Sequence, residues 1–478
     1  MACHRHAFKS FYEKFSEITD IRSMMLSDRA HKLEEGDRID IMASLPDLTG
    51  MEVVDIGAGI GRYTGPFSTV AKSVLAVDFI DSFLDKNRED HGHLPNVSFE
   101  HNDAVHLRLP PESKDCIFTN WLQMYLTDEE VVDFLQNCLE WLRPGGFLHL
   151  RESCSEPSAK KKKGTFKKSE TENPTFYRFS SQYIELLRQF VTMDAAGNCW
   201  SFRLLWAKSV PTYIELEDNW RQVHMLVQKV PARLQEVMTK NELLSLFSTA
   251  CLNKQLEIDI RECNLREALG HHLAPIESIL IQELGQLAPD SSVAVISSSH
   301  RILTEIRAPI ISQRLGCSVS AYETDGYCFR SSLTLAHETK DKRVRVNWIP
   351  DFDADESSWH ASKPYDVIIG CDIFGNQPRK VDARVDKLKQ LLSDSGRILT
   401  VETKLGPANG LKVLKSRLED CGFSGALIRI KDVQHVVEGR LEELRAVSAA
   451  HPNNYWLRQE LELCSAHKQW HVVEARVA

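Results

Sequence analysis

In MEVVDIGAGIGRYTG (51–65) an apolar run carries Asp55 and passes directly into Gly57, Gly59 and Gly61. Glycine at such a turn lets the backbone adopt left-handed angles and approach a ligand, whose polar groups then meet a helix N-terminus. Asp78 closes the next apolar run, SVLAVD (73–78), and Asp103 follows the third, NVSFE (96–100). A carboxylate after the second strand is the usual holder of ribose hydroxyls. The spacing is G-x-G-x-G, with Arg62 where a dinucleotide loop would place its last glycine. It suits a ligand with an adenosine and no pyrophosphate, which points to S-adenosylmethionine rather than a dinucleotide. The plainer alternative is an α/β fold whose acids only cap strand ends.

These residues need a parallel sheet behind them, and the chain supplies one. Strand-like runs at VVDI (53–56), SVLAVD, NVSFE, DCIFTN (115–120) and GFLHLRE (146–152) alternate with helical patterns such as DEEVVDFLQNCLEWL (128–142). That helix is expected to end at Arg143-Pro144-Gly145-Gly146. Alternation of this kind is the signature of a parallel α/β sheet. The order then recurs. SVAVIS (292–297), CSVSAYE (317–323), RVRVNWI (343–349), YDVIIGC (365–371) and SGRILTVE (395–402) follow the first five runs in register, and WHVVEARV (470–477) answers VHMLVQKV (223–230). The chain therefore reads as two copies of one domain. The expected division is 1–235, a helical linker and cap over 236–275, and 276–478.

Composition excludes several classes. The net charge of −9 does not suit a general polyanion binder, and no apolar run approaches the ~18 residues of a membrane helix. The start, MACHRHAFKS, has no signal-peptide core, and the twelve cysteines contain no C-x-x-C pair. They read as reduced thiols of a cytoplasmic protein, not as a disulfide framework or a metal site. The one strongly basic run, AKKKKGTFKK (159–168), has little aromatic interleaving and reads as a solvated loop, so no nucleic-acid partner is expected.

Seven segments carry a more specific resemblance: MMLSDRA (24–30), VVDIGAGIGRYTG (53–65), AVDFIDSF (76–83), NWLQMYLTDEEV (120–131), FLHLRESC (147–154), NPTFYR (173–178) and MDAAGN (193–198). Over residues 12–230 the chain resembles the phosphoethanolamine N-methyltransferases, in particular the first domain of the two-domain plant enzymes and their nematode relatives. The resemblance implies two tandem Rossmann-like class I S-adenosylmethionine-dependent methyltransferase domains, the second degenerate. It implies conversion of phosphoethanolamine to its monomethyl form, with a separate methyltransferase completing the later methylations. It also implies a cofactor set of Ser27, Asp55, Gly57, Gly59, Asp78, Phe79, Asp103, Ala104 and Asn120. Single-domain relatives pair a tyrosine with a histidine. Here Tyr12 is the candidate tyrosine, and the place of the histidine falls on Tyr125. For the phosphate, the resemblance points to Tyr177, Arg178, Tyr183 and Lys229.

In the second copy Asp55 corresponds to Val295, and the three glycines to Ser297, Ser299 and Arg301. Side chains replace bare backbone, and positive φ becomes costly. Glu323 and Asp351 keep acids after strands two and three, but CDIFGN (371–376) stands where NWLQMY stood. The expectation is a methyltransferase-like domain that neither binds the cofactor well nor catalyses. A methyltransferase of another small amine or of RNA, and a non-catalytic scaffold, are the competing functions.

Overall fold

The computed structural model describes residues 11, 19–154, 175–247, 251–270, 272–297, 307–350, 359, 364–374, 381–403, 409–467 and 469–477. Two compact units divide the chain, Met1–Leu252 and Asn253–Ala478. The stretch 236–275 is shared between them. Helix Lys240–Ser245 packs on the first unit through a Lys240–Asp133 ion pair of 2.6 Å, whereas most of helix Cys251–Leu269 belongs to the second.

In the first unit, helices α1 (Ile21–Met25) and α2 (Ala30–Met42) precede the sheet. Strands β1 (Glu52–Ile56), β2 (Ser73–Asp78) and β3 (Val97–His101) are separated by α3 (Thr64–Ser68) and α4 (Asp81–His91). Next come β4 (Lys114–Asn120), α5 (Asp128–Trp141), β5 (Leu142–Ser153), α6 (Ser180–Gln189), β6 (Val191–Met193), β7 (Cys199–Ser209), α7 (Pro211–Glu217) and β8 (Gln222–Pro231). The sheet order is β7-β8-β5-β4-β1-β2-β3, with β6 on β7. Strands β1 to β5 are parallel, while β8 runs antiparallel to both β5 and β7. All five parallel strands therefore deliver their C-terminal ends to one edge, where the glycine loop leaves β1.

Local chemistry explains the elements. Thr127 and Glu130 form a reciprocal capping box at the start of α5, and its buried face carries Val131, Phe134, Leu135, Cys138 and Leu139. The helix stops at Trp141, one residue before the expected end, because β5 already begins at Leu142. Pro144 and Gly145 sit in an irregularity where Lys114 pairs with Leu142 and Cys116 with Phe147, a place where a strand tolerates proline. Strand β7, CWSFRLLWAKS, is absent from the sequence-based strand set: Leu204 to Ala207 are buried in succession, so no alternation marks it.

The second unit repeats the plan. After α8 (Lys240–Ser245) and α9 (Cys251–Leu269), helix α10 (Pro275–Leu284) precedes β9 (Ser292–Ser297), β10 (Ser318–Glu323), β11 (Val344–Trp348), β12 (Tyr365–Cys371), β13 (Leu392–Glu402), β14 (Arg429–Asp432) and β15 (His471–Arg476). Between the strands lie α11 (Ala308–Leu315), α12 (Gly326–Thr339), α13 (Val381–Gln390), α14 (Asn409–Asp420), α15 (Gln434–Ala450) and α16 (Tyr455–Ala466). Its order is β14-β15-β13-β12-β9-β10-β11, with β15 antiparallel. Asp37 and Glu277 stand at the same distance ahead of β1 and β9, and both are fully buried against an arginine. Arg62 Nη2 donates to Asp37 at 2.8 Å, and Arg307 donates to Glu277 through Nε at 3.0 Å and Nη2 at 2.8 Å. Removing the carboxylate would leave Arg307 buried and unpaired. Glu277→Ala is expected to lower the stability of the second unit by about 3–5 kcal/mol, read as a shift in its urea midpoint with the first unit's transition unmoved.

Candidate functional site

The glycine loop leaves β1 with φ of +78° at Gly57, +54° at Gly59 and +89° at Gly61. A Cβ at Gly61 would lie 2.3 Å from Asn87 Oδ1, so a side chain there would have to displace the buried Asn87 as well as strain the backbone. Gly59 lies under Met24, whose Cγ would be 3.1 Å from an added Cβ. The segment containing Ser27 thus folds over the loop, and Ser27 itself caps the turn into α2 by accepting from Arg29 N–H at 3.2 Å.

Asp78 stands buried beside the loop. One of its oxygens accepts from Gly59 N–H at 2.8 Å and the other from Ile80 N–H at 2.9 Å. Burial pushes its pKa up, against the pull of those amides. Asp55 lies behind the loop: burial pushes it up to about 7, and Thr64 Oγ1 donates to it at 3.1 Å. Asn87 in turn donates to Thr64 at 3.0 Å and meets His91 at 3.0 Å. Asp55 therefore pins the helix after the loop. Asp103 sits in the turn after β3, accepting from Val105 N–H at 3.1 Å, with Ala104 buried next to it.

Phe79, Ile60, Leu26 and Tyr125 pack in one cluster around Phe11, Ile80 and Phe83. Tyr125 is thereby brought to the cofactor end of the sheet, on a 3-10 turn, Gln123–Tyr125. That turn hangs from Glu152, which sequence reasoning missed. Its two oxygens accept from the backbone N–H groups of Leu122 (3.1 Å), Gln123 (2.8 Å) and Met124 (3.1 Å). Burial pushes Glu152 up to about 7 despite these donors and the nearby Arg178 guanidinium. A glutamate ending a buried strand was the one signal available.

Arg178 is buried and spends its donors on the same turn. It bonds Asp128 through Nε (2.9 Å) and Nη2 (2.7 Å), Gln123 O through Nη1 (2.9 Å) and Leu126 O through Nη2 (2.7 Å). Its guanidinium also lies 4.8 Å over Phe247 and interacts with the buried Tyr183, whose phenol burial pushes far up. Tyr177 is half-buried beside it. Arg178 and Tyr183 are thus brought together, with Tyr177 next to Arg178 in the chain and Arg178 engaged by the chain itself.

Lys229 does not join them. Because β8 runs antiparallel to β5, Gln222 meets Ser153 at the loop edge and Gln228 meets Phe147 near the opposite edge. Lys229 lies there, buried, donating to Leu142 O at 2.7 Å and lying 4.4 Å over the Trp200 ring. The expectation of a phosphate-binding lysine at this position is corrected by the strand direction. Tyr12 and the basic run 159–168 lie outside the described residues.

Asn120, at the end of β4, accepts from Arg151 Nη1 at 3.1 Å. Arg151 is fully buried. It shares Asp37 with Arg62, donating at 3.2 Å, and stacks 3.5 Å from the Trp121 ring.

A family model described as a methyltransferase domain matches residues 53–146. Phosphoethanolamine N-methyltransferase 1 of Caenorhabditis elegans is 37% identical over 425 residues, covering 88% of this chain and 87% of the relative. The chain belongs to the phosphoethanolamine N-methyltransferase family. A solved structure of phosphoethanolamine N-methyltransferase 1 from Haemonchus contortus, in complex with phosphoethanolamine and S-adenosylhomocysteine, superposes with a TM-score of 0.85 at 33% identity. It covers 99% of this chain and 98% of that one. The second methyltransferase of the same worm shares the fold, with a TM-score of 0.60 at 13% identity over 92% of this chain and 99% of that one. The fold of the family member described above is thus two tandem class I methyltransferase-like domains.

Asp55 and Glu152 give the family fold a pH signature. Burial pushes each carboxyl up to about 7 when folded, against ordinary values of 3.8 and 4.5. Between those values the folded state binds more protons than the unfolded one, so stability falls as pH rises. Glu152→Gln is expected to remove one group's share of that slope between about pH 4.5 and 7, measured by urea titration at several pH values.

Proposed function

We propose that the first unit transfers a methyl group from S-adenosylmethionine to the nitrogen of phosphoethanolamine, giving the monomethyl product. The observation that carries this reading is the joining of the positive-φ loop Gly57–Gly61 with Asp78, Phe79 and Tyr125 at one sheet edge, in a chain of this family. The residues fit the cofactor: Asp78 is an acid at the ribose position, and bare backbone lines the loop. When bound, S-adenosylmethionine supplies a methyl group on a sulfonium sulfur.

The nitrogen must present its lone pair. An alkylammonium has a pKa of about 10, so neutralising it at pH 7 costs about 4 kcal/mol. A site that desolvates the amine and gives its proton an acceptor lowers that cost. Tyr125 is the proposed group at the amine, with Tyr12 its proposed companion. A phenol is a weak base at neutral pH, so its part is to orient the amine and a water rather than to hold the proton. Glu152 and Arg178 fix the turn on which Tyr125 rides. Tyr177, Arg178 and Tyr183 are proposed for the phosphate. For Arg178 this means exchanging a backbone carbonyl for a phosphate oxygen while keeping Asp128.

In the second unit Ser297 ends β9 where the loop of the first unit begins, and Glu323 is turned to its own helix, accepting from Ser332 Oγ at 2.7 Å. Ser299, Arg301 and Asp351 lie outside the described residues. We assign this unit no methyl transfer, and a separate methyltransferase the later steps. We assign the reaction to the cytoplasm, an aqueous compartment that suits two small polar reactants. Among the described residues no helix is long and apolar enough to cross a membrane.

Methyl-labelled S-adenosylmethionine incubated with phosphoethanolamine should yield the monomethyl product by mass spectrometry. Turnover of only the already monomethylated amine would overturn the assignment. Gly59→Arg should abolish turnover while Ser297→Arg leaves it unchanged. Tyr125→Phe is expected to lower kcat by about 10–100-fold with little change in cofactor affinity.

A further inference from the structure

The two units form an internal comparison of what the fold needs and what the site needs. Both keep a buried carboxylate–guanidinium pair, Asp37–Arg62 and Glu277–Arg307. Both also keep a buried glutamate holding the turn after the fourth strand. Glu152 accepts from Gln123 N–H, and Glu402 from Phe374 N–H at 3.3 Å. Even the left-handed residue recurs: Trp121 has φ +57° and donates to Arg151 O, and Asp372 has φ +51° and donates to Val401 O. These features belong to the fold. The pair Arg151–Asn120 does not recur, since Val401 and Cys371 stand at the matching strand positions.

We propose that Arg151 is a positioning residue that orients the Asn120 carboxamide as a hydrogen-bond donor to the carboxylate of the cofactor's methionine part. The inference rests on the reading of the first unit as the S-adenosylmethionine site. A guanidinium carries only donors, so the Asn120 oxygen must face Arg151 and its NH2 must point away. Arg151 cannot rotate to reach a ligand. It is fully buried, bonded to Asp37 and stacked on Trp121. Asn120 follows Thr119, which pairs with Ile56, the residue before Gly57. Leu122 flanks Gly57 itself, 3.6 Å from where its Cβ would be. The carboxamide therefore stands at the mouth of the glycine loop, where a fixed NH2 complements an anionic oxygen. Left without Arg151, the amide would lose the partner that sets its orientation, and its carbonyl could face the ligand carboxylate.

The test is calorimetric titration of the full chain with S-adenosylmethionine and no amine present. Asn120→Asp leaves Arg151 an oxygen partner but removes the donor. It is expected to weaken cofactor binding at least about tenfold, with the melting temperature and the KM for phosphoethanolamine little changed. Arg151→Val, the residue of the second unit, should weaken binding similarly, and the double variant Arg151→Val/Asn120→Ala should bind no worse than Asn120→Ala alone. Additive losses, or an Asn120→Asp protein that binds within about twofold of the parent, would overturn the proposal. If Arg151→Val fails to fold, Arg151→Met, which keeps the length and removes the donors, takes its place in the same cycle with the same expected and overturning outcomes. A parent chain that binds S-adenosylmethionine but does not methylate phosphoethanolamine would sink the proposed function and leave the cycle readable.

Discussion

Burying a carboxylate costs several kcal/mol unless strong donors replace its water, and at Asp37 two guanidiniums do so from different parts of the chain. Arg62 comes from the residue after Gly61, and Arg151 from the end of β5. Asp37 itself belongs to α2, so three elements meet on one side chain. The glycine loop is thus held at its far end by a residue that cannot move without exposing an unpaired buried charge. Glu34 sits 3.7 Å from Arg62 as well, and the Trp121 and Tyr213 rings lie against Arg151, so the second positive charge is also accommodated.

The other supports of the site act in the same way, by giving a buried polar group fixed partners. Asp55, Thr64, Asn87 and His91 form a chain behind the loop that favours glycine at 61, since Asn87 occupies the space its Cβ would need. Glu152 gathers three successive amides of the turn that carries Tyr125, and Arg178 closes the same turn from the opposite side through two carbonyls and Asp128. These polar fastenings add direction to the apolar cluster of Ile60, Phe79, Ile80 and Tyr125 that the same loops form.

Much of the frame was legible from patterns with a fixed period. The parallel strands, the repeat and the loop with its acids all follow from alternation and glycine spacing, and each proved to lie where the pattern put it. Lys229 shows where the pattern stops. Its position along β8 was plain, but only the antiparallel pairing with β5 decides which sheet edge that position reaches. Asp37 and Arg151 were invisible for a different reason. In AHKLEEGDRIDIM a charged residue reads as solvated, and nothing local reports that a guanidinium from β5 will arrive opposite it. Arg151, a charge inside the apolar run FLHLRE, was the stronger hint, because such a residue must find a buried partner.

The second unit separates the frame from the ligand loop. Ser297 and Val295 stand where the first unit has Gly57 and Asp55, yet Glu277 still holds Arg307 and Glu402 still holds the turn after β12. Those interactions are satisfied within the protein, so their contribution to stability does not depend on a bound ligand. Gly57 and Gly59 contribute differently: glycine is costly to order on folding, and at the loop it leaves bare backbone where a ligand can approach. With serine at 297 in place of the first loop glycine, the second unit still forms the same parallel sheet, because its strands and these buried pairs hold it without the glycine.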